Sequence, residues 1–384
     1  MWNGQEGVSH RQVDILFPLP SHRVMVQPIK NIVIVGGGTA GWLTAGVIAA
    51  KHRSRIGNGF SVTLVESPTT PIIGVGEGTW PTLRSTLARI GVSETEFFRQ
   101  CDVAFKQGAR FKGWTTGAAD DFYYHPLMLP QSFGKVNLVP HWLAREDGRS
   151  FCDAVCAQGR ICDDGLAPKT IATAEFEAVA NYSYHLDAAK FAPFLQAHCC
   201  EKLGVRHVLA DVRKVNLADN GDIRSLDTPQ AGEIEGDLFV DCTGFKALLI
   251  GETLGVPFKD CSDVLFCDRA LAVQLPYPSE ATPIACQTIS TAQSAGWIWD
   301  IGLPPDVVSA TSIRAATSPM TMRNASCAPT SARQARICQC GSWPFAPDIA
   351  RHSGNAIASP SGSRQDFSSP WRHRPSCWWN SPRS

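Results

Sequence analysis

The sequence has no excess charge of either sign: Lys and Arg total 35, and so do Asp and Glu. That balance gives no electrostatic pull toward nucleic acid or an anionic membrane, and it favours a small ligand. No apolar run approaches the roughly 18 residues of a membrane-spanning helix. Residues 1–28 lack the charged start, apolar middle and small-residue end of a secretion signal, so the chain is read as cytosolic. The 14 cysteines form no disulfide framework. Cys152, Cys156 and Cys162 come nearest to a metal pattern, but gaps of four and six residues miss the short paired spacings of structural zinc, and no suitable His pair follows. Most cysteines are expected to be small buried residues.

What is present is an α/β pattern. A chain of 384 residues has room for two or three ordinary domains, or for one large α/β domain with a smaller partner. Residues 1–28 are polar and aperiodic, with Pro18, Pro20 and Pro28 blocking regular structure, and Met25 is the expected original start. Ile32 to Val35 reads as a fully buried parallel strand, followed by glycines, a helical run from Trp42 to Lys51 and a second strand from Ser61 to Glu66. Strand pieces recur at 205–215 and 238–242. Asp187 to Glu201 reads as an amphipathic helix with Phe191, Phe194 and Leu195 on one face.

Beyond Pro305 the chain is crowded with Ser, Arg, Pro, Ala, Cys and Trp and keeps neither helical nor strand period. A disordered tail is one account, although tryptophan is foreign to such tails. A shifted reading frame is the other. Codons permitted for residues 306–318, read two nucleotides on, allow Arg-Arg-Val-Gly-His-Val-Tyr-Ser-Ser-Arg-Tyr-Ile, an alternating strand-like segment. Residues 319–330 allow an acidic helix start in the same frame, and residues 365–376 allow Gly-Phe-Leu-Glu-Pro-Leu-Glu-Ala-Ser-Ala. The expected organisation is an N-terminal extension over 1–28, a main α/β unit over 29–304 and an aberrant, disordered tail over 305–384.

Gly36-Gly37-Gly38-Thr39-Ala40-Gly41 carries the GxGxxG spacing between a buried strand and a helix. Gly36 makes the turn, Gly38 lets backbone approach a pyrophosphate and Gly41 allows close helix packing. The helix N-terminus at Thr39 and Ala40 offers free N–H groups to phosphate. Glu66, ending the second strand, is placed to accept from ribose hydroxyls. Alone, the motif says dinucleotide, FAD or NAD, and no reaction. Gly74 to Pro81 alternates glycines around Glu77, as backbone passing a flat ligand does, although a surface loop reads the same way. Lys106 lies in an apolar, aromatic stretch, which suits a desolvated amine as well as a solvated surface lysine.

Four segments together resemble the flavin-dependent tryptophan halogenases: Gly36 to Trp42, the Gly74 to Pro81 cluster, Ala104-Phe105-Lys106, and Gly296-Trp297-Ile298-Trp299-Asp300-Ile301. The match covers about residues 29–304 and departs from the family where Gly302-Leu303 precedes Pro304. The resemblance implies a Rossmann-like flavin monooxygenase-type domain with an inserted substrate-side sheet. It also implies FAD, reduced by a separate flavin reductase, giving hypohalous acid from oxygen and halide. Lys106 is then the catalytic residue that presents electrophilic halogen to a small aromatic, indole-containing substrate, and His125 lines the substrate pocket. Gly76, Glu77, Val212 (at a strand position) and Gly244, in the turn Asp241 to Gly244, join the flavin contacts. The family's Phe-Leu-Glu-Pro-Leu-Glu segment and its helical C-terminal region are absent from this frame, which implies impaired activity. A flavin-dependent aromatic monooxygenase and a non-catalytic FAD-binding remnant are the alternatives. No metal is expected.

The coding DNA across codons 306–318 tests the frame account. It is expected to spell the alternating segment two nucleotides on, and codons that forbid that reading would remove the frameshift.

Overall fold

Asn31–Val35 (β1) and Ser61–Glu66 (β2) are runs of β-branched and aliphatic residues, the composition of strands covered on both faces. A computed structural model describes residues 28–52, 60–71, 76–261, 264, 267–279, 281–294, 296–304, 307–315, 341–344 and 356–358. Residues 1–27, with Met25, and most of 305–384 lie outside the described residues.

Strand β1 pairs in parallel with β2 and with β12 (Leu238–Asp241), and β2 pairs in parallel with β8 (Arg206–Leu209). β18 (Ala356–Ala358) closes the β12 edge antiparallel. The period-2 alternation of the strands deals their side chains to two covers. Ile32, Ile34, Val62 and Leu64 meet the helical layer, including Trp42 of α1 (Thr39–His52) and Phe191 and Leu195 of α7 (Ala188–Leu203). Val33, Val35, Val65 and Phe239 meet a small antiparallel sheet of β9 (Lys214–Leu217), β10 (Ile223–Thr228) and β11 (Gly232–Glu235).

The parallel α/β unit expected from the sequence is present, with three local differences. The first helix starts at Thr39 because the glycine turn ends at Gly38. The strand expected over 205–215 is two strands, because at Ala210 the chain leaves the parallel sheet for the antiparallel one; the Ala210 amide donates to the Glu66 carbonyl and the Arg213 amide to that of Asp227. Asp187 is the N-cap of α7, accepting from the Ala189 amide, and Gly204 at φ 72° ends that helix at Leu203.

Gly76–Gly78 (β3) and Ala104–Lys106 (β4) pair antiparallel with opposite edges of β7 (Ser183–Asp187). Between β3 and β4 run α2 (Thr82–Ile90) and α3 (Glu94–Gln100). A larger sheet has seven strands: β17 (Gly341–Pro344), β13 (Cys267–Pro276), β16 (Val307–Ala315), β15 (Gly296–Leu303), β14 (Thr288–Gln293), β5 (Gly108–Lys112) and β6 (Phe122–Pro126), in that order. Its hydrogen bonding runs past residue 304, since β16 pairs with both β13 and β15. Short helices α4 (Val139–Leu143), α5 (Phe151–Val155) and α6 (Gln158–Asp163) follow β6. Among the described residues no helix is long and apolar enough to cross a membrane.

Beneath β7 sits a buried carboxylate. Glu94 accepts from Tyr182 Oη, from Tyr184 Oη at 2.7 Å, from Lys169 Nζ at 2.9 Å and from the Phe176 amide at 2.7 Å. Burial pushes its carboxyl up, but the four donors outweigh burial and hold it below the ordinary value. Glu94→Ala strands Lys169, whose side chain is 10% exposed, and is expected to cost about 3–5 kcal/mol in urea unfolding. A group held low stabilises the fold above its unfolded value and loses that contribution as pH falls through its folded value. The gap between the protein and Glu94→Ala should therefore narrow in acid below about pH 4.5, the ordinary value.

Candidate active site

The carboxyl ends of β12, β1, β2 and β8 form one edge, because all four run the same way: Val35 pairs with Asp241 and with Val65, and Glu66 with Leu209. Ligands of such sheets bind outside that edge. Gly36 leaves β1 with φ +116°, and a Cβ there would stand 2.1 Å from the Cys242 carbonyl oxygen. A Cβ on Gly41 would stand 1.9 Å from the Gly36 oxygen, and one on Gly37 would stand 2.1 Å from the Glu66 carboxyl carbon. Gly38 differs: its missing side chain would meet nothing within 4 Å, and the residue is exposed. Gly36 and Gly41 are thus demanded by the backbone itself, a side chain on Gly37 would have to displace the end of the Glu66 side chain, and Gly38 leaves open space at the start of α1. The first intrahelical bond there runs from the Trp42 amide to the Gly38 carbonyl, so the amides of Thr39, Ala40 and Gly41 precede the helical ladder.

Glu66 lies on this edge with Oε2 2.8 Å from His207 Nε2, a contact poorly aligned for a hydrogen bond. The His207 ring is fixed by Gln196 at Nδ1 and by the edge of buried Trp42, 5.1 Å away. Val212 lies in the link between β8 and β9, not on a strand as expected, because Asp211 is tied to Ser67 and Gln230 as the chain changes sheets. Gly244, at φ +64°, opens the turn after β12, and a Cβ there would meet nothing. That turn is held by Asp241, which accepts from the amides of Thr243, Leu249 and Ile250. The expected residues 36–41, 66, 212 and 244 thus converge on one sheet edge.

The second cluster is built on β7. Register sets Gly78 opposite His185 and Lys106 opposite Ser183. A Cβ on Gly78 would stand 3.1 Å from Thr288 Oγ1, 3.2 Å from Lys106 Nζ and 3.4 Å from His185 Cδ2. The missing side chain is the space these three groups share. Lys106 is 8% exposed, and burial lowers its ammonium to about 8. That is a penalty of about 3 kcal/mol on the charged form. Among the described residues nothing accepts a hydrogen bond from Nζ, which lies 5.2 Å from the centre of the Trp80 ring.

His125, on β6, meets the same indole edge-on at 5.9 Å, and burial followed by the Lys106 charge lowers its imidazole. His185 is wholly buried: burial and then Lys106 hold it at about 3, its Nε2 is 2.9 Å from Thr288 Oγ1, and its Nδ1 has no hydrogen-bond partner among the described residues. Both imidazoles are therefore neutral beside the ammonium. Gly76 opens β3 opposite Asp187, and the carboxyl of half-buried Glu77 is raised by burial. Gly74 and Val75 lie outside the described residues. The Gly296 to Ile301 signature forms β15, with the rings of Trp297 and Trp299 5.8 Å apart.

Sequence reasoning missed His207, Trp80, His185 and Thr288. A signal for β7 was available: Tyr182, Tyr184 and Leu186 alternate with Ser183, His185 and Asp187.

The family model described as "Tryptophan halogenase" matches residues 31–325. The chain is 35% identical over 290 residues to the tryptophan 6-halogenase ThaL of Streptomyces albogriseolus, covering 71% of this chain and 53% of that protein. It is 34% identical over 289 residues to the tryptophan 7-halogenase RebH of Lentzea aerocolonigenes, covering 71% and 53%. Among solved structures, a tryptophan halogenase from Shewanella frigidimarina superposes with a TM-score of 0.73 at 47% identity, covering 77% of this chain and 58% of that one. The chain spans about half the length of the curated relatives it matches.

The glycine geometry separates fold from ligand binding. Gly38→Val is expected to keep the circular dichroism spectrum and melting temperature while weakening FAD binding about tenfold or more in a titration. Gly36→Ala, with backbone 2.1 Å from its new carbon, is expected to lose the fold as well. FAD affinity unchanged in Gly38→Val would move the pyrophosphate elsewhere.

Proposed function

The chain belongs to the tryptophan halogenase family, and from that footing we propose that it is a flavin-dependent halogenase acting on an indole-containing aromatic at Lys106. The observation that carries the reading is the buried Lys106 amine, which has no acceptor among the described residues and sits beneath Trp80 and beside His125. A flavin monooxygenase that passes oxygen straight to its substrate has no need of such a group.

The residues of the sheet edge fit FAD. Gly38 leaves room for a pyrophosphate, the amides of Thr39, Ala40 and Gly41 face it, Glu66 accepts from the ribose, and Val212 and Gly244 border the nucleotide. Gly76 and Glu77 approach the flavin from β3. FAD, reduced by a separate flavin reductase in the cytoplasm, supplies with oxygen and halide the hypohalous acid. We assign residues 29–304 to this chemistry.

Lys106 has one task in this scheme. Its ammonium donates a hydrogen bond to the oxygen of hypohalous acid, draws electron density from the halogen and leaves it electrophilic toward an aromatic carbon. Burial strengthens that bond by excluding competing water. The imidazoles of His125 and His185, lowered by burial and by Lys106, add no second positive charge, so Lys106 remains the cation that faces the oxidant. Trp80 and His125 present flat surfaces against which an aromatic substrate stacks.

Supplied with reduced FAD, oxygen, bromide and an indole, the protein is expected to give brominated product by mass spectrometry only at the impaired level of a chain whose frame lacks the Phe-Leu-Glu-Pro-Leu-Glu segment. Lys106→Ala should lower product by about 100-fold or more while flavin oxidation continues. Product formation should also fall as pH rises through about 8, where Lys106 gives up its proton. A rate that climbs through that pH would make the free amine the working form. Oxygenated product would establish a monooxygenase.

A further inference from the structure

Two thiols outside the Lys106 site face one another across the end of α5. Cys152 lies in that helix and Cys156 caps it, with the Cys156 amide donating to the Cys152 carbonyl at 2.9 Å. Their Sγ atoms are 3.7 Å apart. Cys152 is buried and Cys156 half-buried, so reagents reach the pair through Cys156. No group of His, Cys, Asp and Glu able to hold a metal occurs among the described residues, so a metal does not account for the pairing. The two thiols share a hydrogen bond, and with the amides of Gln158 and Gly159 it favours the thiolate at Cys156, whose thiol is pushed down while that of Cys152 is pushed up.

The pair adjoins a clamp. Gln158 is wholly buried: its Oε1 accepts from the amides of Leu127 and Met128, and its Nε2 donates to the Asn181 carbonyl. Asn181 Nδ2 returns a bond to the Leu127 carbonyl. Those bonds fix the end of β6, the strand that carries His125. Gly159 packs at the same place, where an added Cβ would stand 3.2 Å from the Tyr124 ring and 3.3 Å from Cys152 Sγ. Movement of Cys156 is thus two residues from the group that anchors β6.

We propose that Cys152 and Cys156 form a modification site at which hydrogen peroxide closes a disulfide and loosens the Gln158 clamp on β6. The Cys156 thiolate attacks one peroxide oxygen, an S–O bond forms, the O–O bond breaks and hydroxide leaves. Cys152 sulfur then attacks Cys156 sulfur; the S–S bond forms, the S–O bond breaks, and the oxygen departs as water with the Cys152 proton. Two thiols are oxidised by two electrons and one peroxide is reduced. Closure draws the sulfurs from 3.7 Å to about 2.05 Å, pulling Cys156 away from the Gln158 and Gly159 amides. The chemistry is independent of any reaction at Lys106.

Trypsin isolates the pair, since cleavage after Arg149 and Arg160 leaves a peptide from Ser150 to Arg160 with no other cysteine. The whole chain, reduced and desalted, is treated with equimolar hydrogen peroxide, then iodoacetamide, and digested. The expected result is loss of both alkylation sites in this peptide, a mass lower by two hydrogens, and recovery of both sites after dithiothreitol. Amide hydrogen exchange across residues 122–128 should speed up in the oxidised protein and stay unchanged in Cys156→Ser, whose Cys152 remains alkylatable. Double alkylation after peroxide would overturn the site, and closure without faster exchange at 122–128 would overturn its link to β6.

Discussion

Glu94 holds β7 from below, and the Lys106 site is placed relative to β7. A carboxylate with four donors is fixed in position, because giving up any of them leaves a buried charge without its full set of partners. Tyr182 and Tyr184 reach Glu94 with their hydroxyls, so the strand that follows keeps one orientation. Ser183 and His185 then point to the opposite face. That face meets Gly78 on one edge and Lys106 on the other, and Thr288 arrives from the seven-stranded sheet to bond His185. A polar network below the strand thereby sets the geometry of a buried amine above it.

The sheet edge depends on a different constraint, steric contact. Gly36 and Gly41 allow β1, α1 and the chain after β12 to approach within distances that no side chain tolerates. The two ends of the protein share one core, in which Trp42 and Leu64 belong to the same buried cluster as Phe97, Tyr184 and Leu186. Trp42 also serves the edge directly, since its ring orients His207 and His207 faces Glu66. A change in that core is therefore felt at both sites.

Desolvation gives Lys106 its character. Among the described residues this ammonium has no carboxylate beside it, which makes it costly to bury, and its neighbours include an indole, two neutral imidazoles and a hydroxyl. None of them neutralises the charge. The cation is left with its hydrogen-bonding capacity unspent, the condition a polarising donor requires. Gly78 has a matching role, because any side chain there would fill the space in front of Nζ.

Residues adjacent in the chain could be read before the fold was known. The buried run of β1, the glycine turn and the helix that follows lie within one short stretch, so period and spacing alone located the strand, the turn through Gly36, Gly38 and Gly41, and the second strand ending at Glu66. Lys106 stood out for its apolar neighbours. Two other features were hidden by local patterns that satisfy themselves: Glu94 follows an N-cap serine and reads as an ordinary first-turn acid, and Val212 lies in an apparently continuous strand that divides between two sheets. The convergence of Trp80, Lys106, His125, His185 and Thr288 was out of reach of any local pattern. These residues are separated by tens to hundreds of positions, and only strand pairing across β3, β7, β4 and the seven-stranded sheet brings them together. The sequence by itself determined the glycine turn between a buried strand and a helix, and it placed one lysine among apolar neighbours. Tertiary structure decided what surrounds that lysine, because burial and neutral neighbours are properties of the packed site and not of the segment.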